Sequence, residues 1–511
     1  MRKRLVPLLL LPLALGACAV NPVTGEREIV LVSEGSEIQM GEQNYAPMQQ
    51  AQGGEYDVDP VLTEYVQSVG DRLAAVSDRK LPYQFVVLNN TVPNAWALPG
   101  GKIAINRGLL TELGSEAELA AVLGHEIVHA AARHSAQQME RGMLLQGLIL
   151  ATAVATSDSD YGNLAVGGAS VAGQLINQRY GREAELEADF YGMQYMSRAG
   201  YDPQGAVTLQ QTFVRLSEGH EQGWLQGLFA SHPPSAERVQ ANVETAATLP
   251  PGGELGAEDY QAAMGKTSEL LPAYQAYEEG RKALGERNTA RAGEKADTAI
   301  GIFPGEGHFH ALRGDARLLE NDFDGAVQNY DRAIEQRDDF FYYYLQRGLA
   351  NQKLGREDRA QQDLTKSLEY LPTAPAHFAL GNIAANRGNR AAAIQHYRAV
   401  AGAQGEMAEA AYASIVRLDI GENPGEYLSK GCSADGEGNL VVAVRNDTPV
   451  PITDVRFVVE FRDQGGVPRQ VVRNVSGNLA AGQVVGVRTG LGPYQPGSGC
   501  PVAIVGARVA R

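Results

Sequence analysis

The sequence predicts a multidomain α+β protein: a mainly helical domain with a small β-sheet, then an α-solenoid, then a C-terminal β-sandwich. Three observations predict this architecture. Apolar residues recur every three or four positions between Val61 and Val76, and two strand-like segments follow that helix. Glycines separated by 33 or 34 residues begin at Gly280. After Gly431, valines alternate with other residues, as they do in strands.

The first residues, "MRKRLVPLLLLPLALGAC", predict an export signal, because three cationic residues precede a short apolar run. That run is too short to span a membrane. Small residues before Cys18 are typical of a bacterial lipobox, so we expect residues 1–17 to be removed and Cys18 to carry the lipid. Residues 18–55 would then be the lipid-anchored N-terminal segment, and Ala19 resembles signals for the outer membrane. A plain secretory signal with an incidental cysteine is the alternative.

The length and charge of the chain limit its domain count and its partners. With 511 residues it exceeds the size at which one core keeps growing, so we expect about two to four domains. Its 44 Lys and Arg residues against 60 Asp and Glu residues give a formal charge of −16. That charge repels polyphosphate, so no nucleic-acid partner is expected. Cys432 and Cys500 predict a disulfide in an oxidising compartment, and two buried thiols are the alternative.

The first domain is expected over residues 56–250. Its helix from Val61 is followed by strands predicted from "YQFVVLNN" and "NAWALPGGKIAIN". The next helix has its own start signal, because Ser115 and Glu118 form a capping box. This helix carries the segment with the clearest chemistry.

Residues 124–134 of that helix, "GHEIVHAAARH", contain the pattern His-Glu-x-x-His. His125 and His129 are one helical turn apart, so both imidazoles can reach one metal ion, with Glu126 beside its open side. The alternative is an ordinary packed helix. His134 would lie about 140° around a continued helix from His129, which predicts a supporting or structural role.

A catalytic zinc site needs three protein ligands and a position for water, so a third ligand must come from elsewhere. The best donor is "REAELEADFYG", residues 182–192, in which Glu185 and Asp189 share one helical face. Glu185 is predicted to ligate the metal, and Asp189 to accept a hydrogen bond from a ligating imidazole. Glu183 and Glu187 are predicted to point away from that face as solvated or capping charges. An acidic surface helix without a metal is the alternative.

A repeat begins after Pro272, where glycines follow one another at intervals of 34, 34 and 33 residues, each with an alanine twelve positions later. The glycines are Gly280, Gly314, Gly348 and Gly381, and the alanines are Ala292, Ala326, Ala360 and Ala393. This spacing resembles the tetratricopeptide repeat, whose two antiparallel helices need small side chains where they approach closest. We predict such repeats over residues 272–420, with a last helix at about 406–418; an unrelated helical bundle is the alternative.

Residues 430–511 contain five Val-rich runs: "LVVAVRN", "VRFVVEF", "RQVVRNV", "QVVGVRT" and "VAIVGARV". Five short strands at this spacing predict a small β-sandwich. Cys432 and Cys500 precede the first and last runs, where a disulfide would staple the sheet. No catalytic pattern stands out in this segment.

Four segments follow the order found in the HtpX/BepA-like zinc metallopeptidase family, a gluzincin family with the HEXXH motif: "NAWALPGGKIAINRGLL", "HEIVHAAARH", "EAELEAD" and "SHPPSAERV". The resemblance covers about residues 20–245, and "NPVTGE" with the repeats is similar to its periplasmic lipoprotein members. It implies one zinc ion per chain on His125, His129 and Glu185, with Glu126 as the catalytic base. The appended β-sandwich departs from the family pattern.

The resemblance also implies roles for residues beside the ligands. Asp189 would support a ligand, and His232 matches a loop histidine that can occupy the open zinc position and block it; a loop residue without chemistry is the alternative. Arg238 matches a family arginine downstream of that loop. Residues 94–106 predict an edge strand on which an extended substrate adds as a further strand. Trp96 either lines a pocket there or packs in the core.

Three hypotheses for function follow. The leading one is a lipid-anchored zinc endopeptidase of the periplasm that hydrolyses misfolded or misassembled envelope proteins, with repeats that recruit clients or outer-membrane assembly machinery. The second is a tethered chaperone or scaffold whose metal site is silent or held shut by His232. The third is a structural lipoprotein whose β-sandwich binds glycan or a neighbouring protein. Glu126 favours the enzyme, since a scaffold has no physical need for a carboxylate beside two metal-binding histidines.

Overall fold

A computed structural model describes residues 18–141, 180–219, 232–462, 467–495 and 500–510. The expected signal peptide lies outside these residues. The Gly- and Ala-rich segment 143–176 also lies outside them; its sequence favours buried helices, and a lid or a surface that meets membrane or client protein is the alternative. The chain packs into two compact units, Met1–Tyr343 and Tyr344–Arg511. Across the described ranges, no helix is both long enough and apolar enough to cross a bilayer.

The first unit contains a β-ribbon, a three-stranded sheet and a series of helices. Its strands are β1 (Cys18–Val20), β2 (Arg27–Ile29), β3 (Gln84–Leu88), β4 (Ala95–Leu98) and β5 (Lys102–Asn106). Its helices before the repeats are α1 (Glu34–Ala51), α2 (Pro60–Ala75), α3 (Arg107–Leu110), α4 (Glu116–Ala131), α5 (Arg182–Arg198), α6 (Gln204–Gly219), α7 (Ala236–Thr248), α8 (Ala257–Ala263) and α9 (Gly265–Glu269). Residues 134–141 are also helical.

The sheet has the order β3-β5-β4, with β3 parallel and β4 antiparallel to the central β5. The turn between β4 and β5 uses Gly100 and Gly101, whose φ values of 81° and 87° favour glycine. β4 lies at an edge of the sheet, where the sequence predicts an edge strand. Trp96 on β4 packs in the core: its side chain is 7% exposed and its ring meets that of Tyr45 edge to face.

The repeat helices follow one another along the chain with the period that the glycine spacing predicts. They are α10 (Leu271–Gly285), α11 (Thr289–Ile302), α12 (Gly307–Leu319), α13 (Phe323–Gln336), α14 (Phe341–Lys353), α15 (Glu357–Tyr370), α16 (Ala374–Asn386), α17 (Arg390–Ala401) and α18 (Glu406–Asp419). A Cβ atom on Gly314 would lie 2.8 Å from the ring of Tyr330, and one on Gly381 would lie 2.6 Å from that of Tyr397. The glycines therefore stand at close helix contacts, and the predicted repeat architecture is confirmed.

The C-terminal segment forms two three-stranded sheets, in the orders β10-β7-β6 and β11-β8-β9. Their strands are β6 (Leu428–Ala434), β7 (Leu440–Asn446), β8 (Ile452–Arg462), β9 (Pro468–Asn474), β10 (Val484–Arg488) and β11 (Val502–Val509). The five predicted runs match β7 to β11, whereas β6 has no such run. Cys432 lies within β6, and its sulfur is bonded to that of Cys500.

Candidate metal centre

The His-Glu-x-x-His segment lies on α4, a helix at the centre of the first unit. Ser115 caps it, because its side chain accepts a hydrogen bond from the backbone N–H of Glu118. Every residue from Ala117 to Ala131 is buried. A helix of this kind places its polar side chains where water is scarce, so those side chains need partners inside the protein.

Four side chains converge at one point beside this helix. His125, His129, Glu185 and His232 each offer a donor atom, and these atoms all lie within 4.8 Å of one another. Nε2 of His129 is 3.0 Å from Nε2 of His125 and 3.5 Å from Oε1 of Glu185. Nδ1 of His232 is 2.9 Å from Oε1 of Glu185 and 3.2 Å from Nε2 of His125. The predicted ligands and the loop histidine thus meet in one cluster.

The two halves of the cluster come together because two helices cross at glycines. A Cβ atom on Gly124 of α4 would lie 3.2 Å from the carbonyl oxygen of Gly192 on α5. A Cβ atom on Gly192 would lie 3.1 Å from the backbone nitrogen of His125. Without side chains at the crossing, the helix backbones approach closely, and Glu185 reaches the histidines of α4.

Asp189 and Arg238 hold one face of His125. Nδ1 of His125 is 2.9 Å from Oδ1 of Asp189. Arg238 donates to both oxygens of that carboxylate, each over 2.7 Å, and its third nitrogen lies 2.9 Å from Oε2 of Glu185. The fork of the guanidinium therefore fixes the carboxylate that orients the imidazole.

His129 has a different set of neighbours. The ring of Tyr180 stacks on it with a centroid distance of 3.9 Å, and the Tyr180 hydroxyl is 2.7 Å from the Ser135 hydroxyl. Nδ1 of His129 is 2.7 Å from Nδ1 of His134. Nε2 of His134 is in turn 3.1 Å from Oε1 of Glu187. Glu187, for which a solvated or capping charge is predicted, is thus partly exposed and paired with His134, whereas Glu183 is exposed.

The chain does not continue α4 as far as His134. The helix ends at Ala131, and Arg133 adopts a φ of 64°, which turns the backbone before the next helical residues. The buried Arg133 guanidinium donates to Glu37 over 2.6 Å and to Glu28 over 2.9 Å. These two partners belong to the N-terminal segment, so that segment fixes the turn that returns His134 to His129.

Glu126 is the acidic residue of the motif and differs from its neighbours. Its Oε1 lies 3.6 Å from Nε2 of His232, and its Oε2 is buried without a hydrogen-bond partner among the described residues. Burial raises the pKa of Glu126, against the opposing charges of His232 and His125. A buried carboxylate with a free oxygen and a raised pKa is suited to accept a proton.

The pKa values of the remaining groups depend on both burial and neighbouring charges. Burial would raise the pKa of Glu185, but His232 and His129 bring it well below the usual range. Burial would also raise the pKa of Asp189, and Arg238 lowers it instead. Burial lowers the pKa of His129 well below its usual value. Glu185 is therefore ionised and His129 neutral near pH 7, the states in which both can ligate a metal.

This donor set fits a zinc ion. Two imidazole nitrogens and one carboxylate oxygen are the ligands of a known class of catalytic zinc sites. Among the described residues, Oε2 of Glu126 beside them has no partner, so it suits an additional group such as a water. His125, His129 and Glu185 would hold the ion, and His232 offers a fourth nitrogen.

A small pocket with both apolar and polar walls adjoins the cluster, with a volume of about 30 Å³. Its walls include Val122, Met193, Leu209 and Phe213, and Glu126 also lines it. A space of this size holds about one water molecule.

Some of these functional neighbours could not be found by spacing. Tyr180 and Arg133 contact the site through tertiary structure, and only the sequence order of the family motifs points to His232. The sequence does show Arg133 directly before His134, in the segment that follows the His-Glu-x-x-His pattern. A buried arginine at a helix end needs acidic partners, and the partners of Arg133 lie 96 and 105 residues earlier.

Comparison with known proteins finds that two parts of the chain are similar to known families. Residues 60–246 match the model of peptidase family M48, and residues 314–355 and 341–372 match models of tetratricopeptide repeats. A putative beta-barrel assembly-enhancing protease of Vibrio cholerae serotype O1 is 34% identical over 205 residues, which is 38% of this chain and 41% of the relative.

Two further relatives align with this chain over different lengths. The beta-barrel assembly-enhancing protease of Escherichia coli K12 is 28% identical over 281 residues, which is 52% of this chain and 57% of the relative. The mitochondrial metalloendopeptidase OMA1 of Schizosaccharomyces pombe is 32% identical over 187 residues, 35% of this chain and 51% of the relative. The chain thus spans about half the length of the curated relatives it matches.

Among solved structures, a thermophilic tetratricopeptide repeat protein from Thermus thermophilus aligns with 40% of this chain and 98% of that chain. Its identity is 16% and its TM-score is 0.27.

Proposed function

We propose that the chain is a zinc-dependent endopeptidase, and the match of residues 60–246 to the model of peptidase family M48 supports this. The observation that carries the proposal is the cluster in which His125, His129 and Glu185 meet beside the free carboxylate oxygen of Glu126. A purely structural metal site with two imidazole ligands would not need a carboxylate with a free oxygen beside it. A proton acceptor beside an open metal position is what peptide hydrolysis requires.

Each residue has a separate task in this mechanism. When bound, the zinc ion supplies Lewis-acid chemistry, activating water and polarising the peptide carbonyl. Glu126 takes a proton from the attacking water at its free oxygen and returns it to the leaving amine. Asp189 keeps the Nδ1 proton of His125 in place, and Arg238 keeps Asp189 in place.

We further propose misfolded or misassembled envelope polypeptides as the substrates. Two relatives are named as beta-barrel assembly-enhancing proteases, and the repeats offer a surface that would recruit clients or outer-membrane assembly machinery. The lipobox-like residues before Cys18 support a lipid-anchored periplasmic protein at the outer membrane. An extended substrate segment would add along β4, since Ala95 of that edge strand lines the pocket beside Glu126.

The test compares the full chain with Glu126→Gln and with Glu183→Gln, a matched control on an exposed glutamate. Bound zinc is measured by elemental analysis, and cleavage is measured on unfolded casein. We expect one zinc per chain in all three proteins and at least about a 100-fold loss of cleavage in Glu126→Gln alone. Equal cleavage by the wild type and Glu126→Gln would overturn the proposal.

A self-inhibited scaffold is the second candidate, because His232 lies among the ligands in this structure. Its Nδ1 is within 3.2 Å of both Glu185 and His125, and the side chain is 4% exposed. In the endopeptidase, His232→Ala should raise cleavage several-fold by freeing the position that water needs. If this variant binds zinc and cleaves nothing, the scaffold is favoured.

A further inference from the structure

His129 is the ligand whose supporting partner the motif does not reveal. Its Nε2 faces the cluster, 3.0 Å from Nε2 of His125, so its Nδ1 must be satisfied elsewhere. That atom lies 2.7 Å from Nδ1 of His134. Two ring nitrogens at this distance form a hydrogen bond only if one of them carries the proton and the other does not.

Glu187 decides which nitrogen carries the proton. Nε2 of His134 lies 3.1 Å from Oε1 of Glu187, and this contact is a hydrogen bond when the imidazole N–H donates to the carboxylate oxygen. A His134 ring with a single proton, on Nε2, has a lone pair on Nδ1. That lone pair accepts the Nδ1 proton of His129, which leaves Nε2 of His129 free for a metal. In this series of hydrogen bonds, each N–H then donates to one acceptor.

We propose that His134 and Glu187 are positioning residues that hold His129 in the tautomer and ring orientation required for zinc binding. They would do for His129 what Asp189 does for His125. The proposal rests on the proposed zinc site, and it adds two residues to the set that maintains it. His134 is 4% exposed, whereas the Glu187 side chain is 30% exposed, so the pair extends from the ligand toward solvent.

The surrounding contacts explain why a helix break is needed. If α4 continued, His134 would lie about 140° from His129 around the axis and could not reach it. The turn at Arg133, with its φ of 64°, returns the next side chain to the site. Tyr180 covers the ring face of His129, and His134 contacts the edge of the ring that points away from the cluster.

The experiment uses the full chain with His134→Ala, Glu187→Ala and Glu187→Gln, and Glu183→Gln as control. Zinc affinity is measured by competition with a chromogenic chelator. We expect the dissociation constant to rise about 10- to 100-fold for His134→Ala and Glu187→Ala. Glu187→Gln should lie between these variants and the wild type, because its amide oxygen can still accept. The control should match the wild type.

A second readout separates positioning from general stability. In the zinc-free chain with ¹⁵N-labelled histidine, NMR should show His129 with its proton on Nδ1 in the wild type and a mixture of tautomers in Glu187→Ala. Unchanged zinc affinity with an unchanged tautomer in the Glu187 variants would overturn the proposal. Neither readout requires cleavage, so a wild type that binds zinc but hydrolyses nothing would refute the proposed function and leave this inference testable. Glu187 is partly exposed, so its variants test the proposal even if His134→Ala does not fold.

Discussion

Asp315, a buried carboxyl in the repeats, illustrates how one residue couples stability to pH. It lies on α12, is 7% exposed, and accepts hydrogen bonds from the hydroxyls of Tyr330 and Tyr342. Burial raises its pKa to about 6, although the two tyrosines and Arg281 oppose the shift. The folded state therefore binds this proton more tightly than the unfolded chain does.

The sign of the resulting pH dependence follows from linkage. A raised pKa in the folded state gives stability below the unfolded value near 3.8, and this stability is lost as the pH rises through about 6. The loss amounts to at most about 3 kcal/mol in the free energy of unfolding. Asp315→Asn removes the titration and keeps one acceptor oxygen. We expect it to raise the melting temperature relative to wild type at pH 7.5 more than at pH 4.5, as measured by calorimetry. Equal shifts at both pH values would contradict the assignment.

The proposed metal ligands show which residue contacts follow from sequence. His125 and His129 are fixed relative to each other by helix geometry, so their spacing alone predicts a shared ion. Several acidic residues could have supplied the third ligand. Glu185 was chosen because it shares one helical face with Asp189. Tyr180 gives no such signal, because its stacking on His129 depends on tertiary packing and on no local repeat.

At the scale of elements, the crossing of α4 and α5 sets the separation of the ligands. Gly192→Ala would place a methyl group 3.1 Å from the backbone of His125, so the helices must move apart by a few tenths of an ångström. We expect zinc affinity to fall about 10-fold while far-UV circular dichroism is unchanged, since ligand geometry tolerates little displacement. The measurement is chelator competition.

Gly293→Ala is the matched control for this prediction. Gly293 also lies within a helix, α11, but a Cβ atom there would meet nothing within 4 Å. That substitution should leave zinc affinity unchanged and stabilise the repeats by up to about 1 kcal/mol, because alanine favours the helix. If Gly192→Ala behaves in the same way, the close crossing does not determine the site.

Most elements could be predicted where one local signal dominates. The repeat helices follow from glycines at a fixed interval, and the valine runs from alternation. β6 was not predicted, because "LSKGCSA" contains few residues that favour strands. Its strand conformation depends on its antiparallel pairing with β7. The break of α4 at Ala132 was equally hidden, since the alanine-rich sequence favours continuation, and the ionic partners of Arg133 override it.

For the whole molecule, the proposed zinc ion links segments of the first unit that are far apart in sequence. It would join α4, α5 and the loop residue His232 at one point. A ligand that binds only the folded state stabilises it by an amount that grows with its concentration, about 2.7 kcal/mol at 100 times its dissociation constant. The second unit, Tyr344–Arg511, contributes no member of this cluster.

Removal of zinc by a chelator should therefore destabilise the two units unequally. We expect the melting transition of the first unit, Met1–Tyr343, to fall by about 4 °C, the shift that about 3 kcal/mol produces in a unit of that size. Hydrogen exchange measured by mass spectrometry should accelerate in α4 and α5 and stay constant in β7 and β8. His125→Ala, which lacks a ligand, should show the faster exchange from the start and no response to the chelator. A uniform change across both units would mean that the chelator acts on something other than this cluster, because the cluster draws every one of its donors from the first unit.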